Sequence, residues 1–274
     1  MEVSTKEIIQ GSPAIRSTTL AYSDNFILTT NGVLNIYHNL SENDCKIVVA
    51  TNKLNQIQFS NVFNISDKTF DLINNKLLES ENNPFLSLNL NGFGAINDLS
   101  CLSQLPNLKA LAVDMFKNNQ IDKINQFTRL KKLSLSGSIS VKPLVEQKDL
   151  EEIFLYEKLK DVEVIGSMRN LKTITFSKMT LKNLNFLTDL HNLRELHFML
   201  GSATNYDRLP DIGKIEKLSF TLVRQLTIEH LLPINKMKFL KELTFDTQAH
   251  LTDLDWLTNK TIKTEIINCK TFRQ

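Results

Sequence analysis

The chain has 274 residues, 42% of them hydrophobic and 23% charged, with a formal net charge of +2. This is the composition of a globular protein with apolar mass for a long core. It lacks the basic excess that neutralising a nucleic-acid backbone requires, and its interspersed signs argue against a polybasic membrane arm.

The start, Met1 to Glu7, has neither the basic nor the apolar region of a secretory leader, and no run of roughly 18 apolar residues occurs anywhere. The first structural signal is a β-hairpin: Phe26 to Thr30, then Asn31-Gly32, then Val33 to Tyr37. An Asn-Gly pair suits a type I′ turn, which needs two positive φ values. Residues 1–53 are read as a β-rich N-terminal cap, and residues 54–274 as one continuous repeat domain. Leu54-Asn-Gln-Ile-Gln-Phe59 is a strand. Ser66 ahead of Asp67, Phe70, Ile73 and Leu77 predicts a short helix over roughly 67–80, because a capping hydroxyl precedes helically spaced apolar positions.

From Phe85 onward one pattern recurs: apolar, two variable, apolar, one variable, apolar. It starts at Phe85, Leu108, Leu130, Leu150, Leu171, Leu193, Ile215 and Leu240, with spacings of 23, 22, 20, 21, 22, 22 and 25. After each strand the apolar residues fall at every third position, as in Leu181, Leu184, Leu187 and Leu190, which suits 3₁₀-like or extended return turns. The last candidate strand, Ile262 to Ile267, would put Glu265 inward and so reads as a degenerate terminal repeat. Four consecutive units carry Phe176, Phe198, Phe220 and Phe245 at the last inward position, predicting a column of stacked rings in the core.

On these residues the chain resembles the leucine-rich repeat family, in its short class of about 22 residues found in internalin-like proteins, over about residues 54–267. The resemblance implies an α/β solenoid: a right-handed superhelix with a parallel β-sheet on its concave face and a β-rich cap at its N-terminus. It also implies a rigid protein-binding scaffold. The family's asparagine, three positions after the last strand leucine, is replaced by Phe116, Ser138, Lys158, Met179, Gly201, Val223 and Gln248. The backbone groups that its ladder satisfies therefore need other partners.

In such a sheet the residues between the leucines point outward. Most are small and polar, and the exceptions define a candidate site. Phe154 and Tyr156 lie on one strand, His197 and Met199 two strands along, with Thr175 and Ser177 as the floor between them and Glu152 and Glu195 at its border. An aromatic and methionine patch on a polar sheet has the character of a protein-binding hot spot, and mutual packing of the rings is the alternative reading. The flanking charges, Lys131-Lys132, Glu151-Glu152, Arg194-Glu195, Glu216-Lys217 and Lys241-Glu242, mostly alternate in sign between neighbouring strands, with Lys172 and Arg194 the like-charged exception. Such pairs favour correct stacking.

The five histidines lie in different repeats or in the cap, and no nucleophile motif, phosphate loop or metal-ligand spacing occurs. No cofactor or metal is expected. Three cysteines, Cys45, Cys101 and Cys269, are odd in number and far apart, which points to a reducing cytoplasm rather than a disulfide scaffold. The expected function is non-enzymatic binding of a protein partner, of the kind an inhibitor or immunity protein performs, by a monomer that engages neither nucleic acid nor membrane. The alternative is a structural or self-assembling solenoid.

Overall fold

A computed structural model of the chain describes residues 4–59, 65–79, 83–89, 99–114, 120–224 and 226–270. The described residues gather into two compact units, 1–133 and 134–274.

In the first unit, β1 (Thr19–Tyr22), β2 (Phe26–Thr29) and β3 (Val33–Ile36) pair antiparallel. β4 (Gln56–Phe59), β5 (Phe85–Asn89) and β6 (Ala110–Asp114) then add in parallel beyond β3. Three short helices accompany these strands and were missed in the sequence: α1 (Thr5–Gly11), α2 (Pro13–Thr18) and α3 (Glu42–Ala50). Two of them carry capping boxes, Ser4 with Glu7 and Ser41 with Asp44. Burial pushes the Asp44 carboxyl upward, but hydrogen bonds from Ser41, Ser23 and Asn25 outweigh it and hold the group below its usual range. Asp44 thereby ties the start of α3 to the hairpin.

The expected helix at 67–80 is α4 (Asp67–Leu72), capped by Ser66 and continued as a wider turn over Ile73–Leu77. Phe70, Ile73 and Leu77 face the core as their spacing required.

Two sequence readings need correction in this unit. In the hairpin, Gly32 N–H donates to Thr29 C=O at 2.9 Å, and of the two central residues only Gly32 has a positive φ, of 83°. The connection is thus a turn closed by a left-handed glycine rather than type I′. The repeat at 85 is also aligned two residues late. Leu86 pairs with Leu111 and Leu88 with Val113, which leaves Phe85 on the outward face beside Gln56. Leucines at 86, 88 and 90 permit both alignments with the same alternation, and the neighbouring strands select between them.

β7 (Lys132–Ser136) spans the division between the units. The second unit contains β8 (Glu152–Tyr156), β9 (Thr173–Ser177), the two-residue β10 (Thr180–Leu181), β11 (Glu195–Met199), the two-residue β12 (Ser202–Ala203), β13 (Lys217–Thr221), β14 (Glu242–Asp246) and β15 (Lys263–Ile267). The sheet order is β8-β9-β11-β13-β14-β15, and every neighbouring pair is parallel. β10 and β12 form a separate parallel pair on the return side. Each return as far as β14 carries a 3₁₀ turn, at Lys142–Glu146, Val162–Ser167, Asn185–Leu187, Leu209–Asp211 and Leu232–Lys236, the last of these following the four-residue α5 (Ile228–Leu231). This is the arrangement of a leucine-rich repeat solenoid.

The phenylalanine column forms as the sequence required. Phe176, Phe198, Phe220 and Phe245 stack at 6.1, 5.5 and 5.6 Å between neighbouring centroids. Phe186, Tyr206 and Trp256 close on this stack edge-on. The hydroxyl of the buried Tyr206 accepts the Ala203 N–H at 2.9 Å.

The missing asparagine ladder has two replacements. Gln248, 3% exposed, donates its side-chain amide to Phe220 C=O at 2.8 Å and to Asp246 C=O at 2.9 Å. The corner residue after each strand takes a left-handed backbone: Glu157, Lys178, Leu200, Leu222, Thr247 and Asn268, with φ between 51° and 70°. Each of the first five donates its N–H to the last carbonyl of the next strand, at 2.7 to 3.0 Å. Phe116 lies outside the described residues.

β15 corrects the reading of Glu265. Thr244 pairs with Glu265 and Phe245 with Ile266, so Thr264 and Ile266 point inward while Glu265 is exposed. A carboxylate is costly to strip of water, and a shift of one residue relative to the leucine pattern keeps it solvated.

Candidate functional site

All eight candidate residues lie on three neighbouring strands of the second unit. Phe154, Thr175 and His197 occupy one row across β8, β9 and β11, and Tyr156, Ser177 and Met199 the next. Glu152 and Glu195 share a third row with Thr173. The leucine-type positions between them, Ile153, Leu155, Ile174, Phe176, Leu196 and Phe198, are no more than 2% exposed, so the candidate residues take the opposite face.

The relief of this face follows from side-chain size. Large groups stand on β8 and β11, and hydroxyl residues lie on β9 between them. The backbones of β8 and β11 are two strand spacings apart, roughly 9–10 Å, and their large side chains border a shallow furrow over β9. Thr175 is half-buried on its floor and Ser177 is buried, only 2% exposed.

One wall is an aromatic pair. The rings of Phe154 and Tyr156 stack at 6.5 Å with planes 12° apart. Mutual packing and surface display therefore coexist, because both rings remain partly exposed. Lys178 lies with its Nζ 5.4 Å from the Tyr156 centroid and 2.6 Å from Glu157 Oε1. The Glu157 hydrogen bond raises the Lys178 pKa, with Tyr156 contributing.

The other wall is a polar network ending in Met199. His197 Nδ1 shares a hydrogen bond with Ser219 Oγ at 2.7 Å, and its Nε2 lies 3.7 Å from Glu195 Oε2. Glu195 also pairs with Lys217 at 3.3 Å. Hydroxyl, imidazole and carboxylate in sequence resemble a proton relay, but the strand N–H groups beside Ser219 are spent in the sheet ladder. The backbone there is therefore not arranged as an oxyanion hole. The network instead orients the imidazole.

Burial, with the Lys217 charge assisting, lowers the His197 pKa below the usual histidine value, against the pull of Glu195. Folding thus favours the neutral ring, while the unfolded chain binds a proton near the ordinary pKa of about 6.5. In the window below that value the unfolded state holds more protons, so stability falls as pH drops and levels off above it. Urea midpoints at pH 5 and pH 7.5 should show this loss, and His197→Gln should reduce it. An equal loss in the variant would remove the histidine from the explanation.

The charges outside the furrow are stitched between strands. Glu151 pairs with Lys172 at 2.5 Å, and Glu216 takes both Arg194 at 3.8 Å and Lys241 at 2.5 Å. The like-charged neighbours Lys172 and Arg194 are thereby each satisfied from their other side. The Lys241 hydrogen bond lowers the Glu216 pKa.

Sequence reasoning missed Ser219, Lys178, Leu200 and Leu222. The two leucines are 44% and 38% exposed at adjacent corners and continue the apolar rim beyond Met199. Their place was available from the repeat alignment, one residue past each strand. Among the described residues, no group of His, Cys, Asp and Glu is arranged to hold a metal ion, and no helix is long and apolar enough to cross a membrane.

No protein-family model matches the chain, and no curated protein is detectably related to it. Solved structures do match. An internalin C2 from Listeria monocytogenes is 16% identical, with a TM-score of 0.50, over 74% of this chain and 84% of that one. An internalin, inlF, from the same organism is 18% identical, also at 0.50, over 96% and 94%. TLR13, solved in complex with a single-stranded RNA, is 15% identical at 0.51, over 80% of this chain and 33% of its own. These likenesses show a shared leucine-rich repeat fold.

Proposed function

We propose that this leucine-rich repeat chain is a non-enzymatic recognition module that holds a protein partner against the outward face of β8, β9 and β11. The observation that carries the reading is the furrow. Two aromatic rings and a methionine stand partly exposed on either side of a floor of small hydroxyl residues, on a sheet whose other outward positions are mostly small or charged. Rigid aromatics beside a shallow notch supply contact area at little entropic cost, the usual composition of an interface hot spot. The lowered pKa of His197 favours an uncharged ring beside Met199 on the second wall.

The finer reading is inhibition, in which a preformed surface occludes its partner's working face, in the manner of an immunity protein. The odd number of cysteines, far apart in the sequence, favours a cytoplasmic location, which cell fractionation would check. For the binding face itself, calorimetric titration of a captured partner should show affinity falling about tenfold or more for each of Phe154→Ala, Tyr156→Ala and Met199→Ala. The exposed Lys238→Ala serves as control. Unchanged affinity in all three would remove the furrow as the site.

A further inference from the structure

β15 is the last strand of the sheet, paired with β14 on one side, and among the described residues no strand lies on its other side. Lys263 N–H donates to Lys241 C=O, and Ile267 C=O accepts from Thr247 N–H, both at 2.8 Å. Residues 263 and 267 thus aim their backbone groups at β14. Alternation along a strand then turns those of Thr264 and Ile266 toward the open edge. The core is also less closed here. Thr264 and Ile266 are partly exposed, whereas Leu243 and Phe245, which occupy the same positions one strand earlier, are 0% exposed.

The side chains along this edge specify what fits it. The sequence Ile262-Lys263-Thr264-Glu265-Ile266 is charge-complementary to its own reverse, with Thr264 at the centre. Lys263 and Glu265 are both exposed on the solvent face. We propose that β15 pairs antiparallel with β15 of a second copy of the chain, about a twofold axis at Thr264. In that register the two Thr264 residues exchange backbone hydrogen bonds, as their direction permits. Lys263 lies opposite Glu265 of the second copy, and Glu265 opposite its Lys263. On the inner face Ile262 meets Ile266 of the second copy. Centring the axis on either neighbour sets two lysines or two glutamates directly opposite each other, which disfavours the slipped pairings. Charges on an edge strand ordinarily repel arbitrary strands. Here their order admits one partner, the same strand reversed.

Sedimentation equilibrium of the full chain over a broad concentration range tests this. A monomer–dimer equilibrium is expected. Lys263→Glu and Glu265→Lys should each raise its dissociation constant about tenfold, since each turns two attractive cross-strand pairs into repulsive ones. The double variant, Lys263→Glu with Glu265→Lys, should restore it. Both positions are exposed, so folding is not at stake, and Phe154→Ala should leave the dimer unchanged. A monomer at every concentration, or a double variant as weak as the single ones, overturns the proposal.

Discussion

Replacing Phe220 by alanine is expected to lower stability by about 3–5 kcal/mol, the range for emptying a fully buried aromatic site. Phe220 is 0% exposed, with Phe198 stacked on one face at 5.5 Å, Phe245 on the other at 5.6 Å, and Tyr206 edge-on at 5.8 Å. Alanine therefore removes a ring from the middle of a continuous stack. Neighbouring rings held by their own strands cannot collapse into the gap, so most of the cavity persists. Phe220→Leu should cost less, because it keeps volume while losing ring contact. The chain's single tryptophan, Trp256, packs on Phe245 and provides the readout. Its fluorescence should report a lower urea midpoint in Phe220→Ala. A midpoint within error of the unchanged protein would mean the stack is not continuous in solution.

Gly32→Ala should cost about 3 kcal/mol, of which the left-handed backbone accounts for about 1–2. A methyl group at Gly32 would fall 2.0 Å from the Lys53 carbonyl oxygen and 2.6 Å from Asn55 Nδ2. The obstruction is largely backbone and cannot swing aside. Nor can Gly32 retreat freely, since its own carbonyl accepts the N–H groups of Asn55 and Gln56 at 2.8 and 3.1 Å. Those two bonds join the hairpin to the first repeat strand. Circular dichroism during urea unfolding should show the first unit losing structure earlier than before, and an unchanged profile would mean that the turn has room the geometry denies it.

The strand core was legible because the inward positions repeat about every 22 residues and must be apolar in every unit. Where several leucines follow one another, as at 86, 88 and 90, the pattern admits two alignments, and only pairing with β4 and β6 decides. Glu265 was misplaced for the converse reason: the leucine template was carried through a terminal strand whose register obeys solvation of a charge. The helices of the first 53 residues were readable in principle from Ser4 with Glu7 and Ser41 with Asp44. Each is under ten residues long, too short for its apolar spacing to stand out beside the hairpin pattern.

Alternation alone assigned the furrow residues to the outward face. The burial of Ser177 and the bond between His197 and Ser219 were beyond reach, because strand alternation fixes the face a side chain takes and not its rotamer or its neighbours. The left-handed corners were hidden too, since Glu, Lys, Leu and Thr each disfavour that conformation.

Those corners carry a consequence for how such a chain can change. In five of them the conformation is imposed by backbone bonds from one repeat to the next, so it places little demand on the side chain, and these positions hold a glutamate, a lysine, two leucines and a threonine. The fold thereby sets aside a row of sites beside the furrow where mutation alters surface chemistry while the scaffold stays as it was. A new binding preference can be written there one residue at a time.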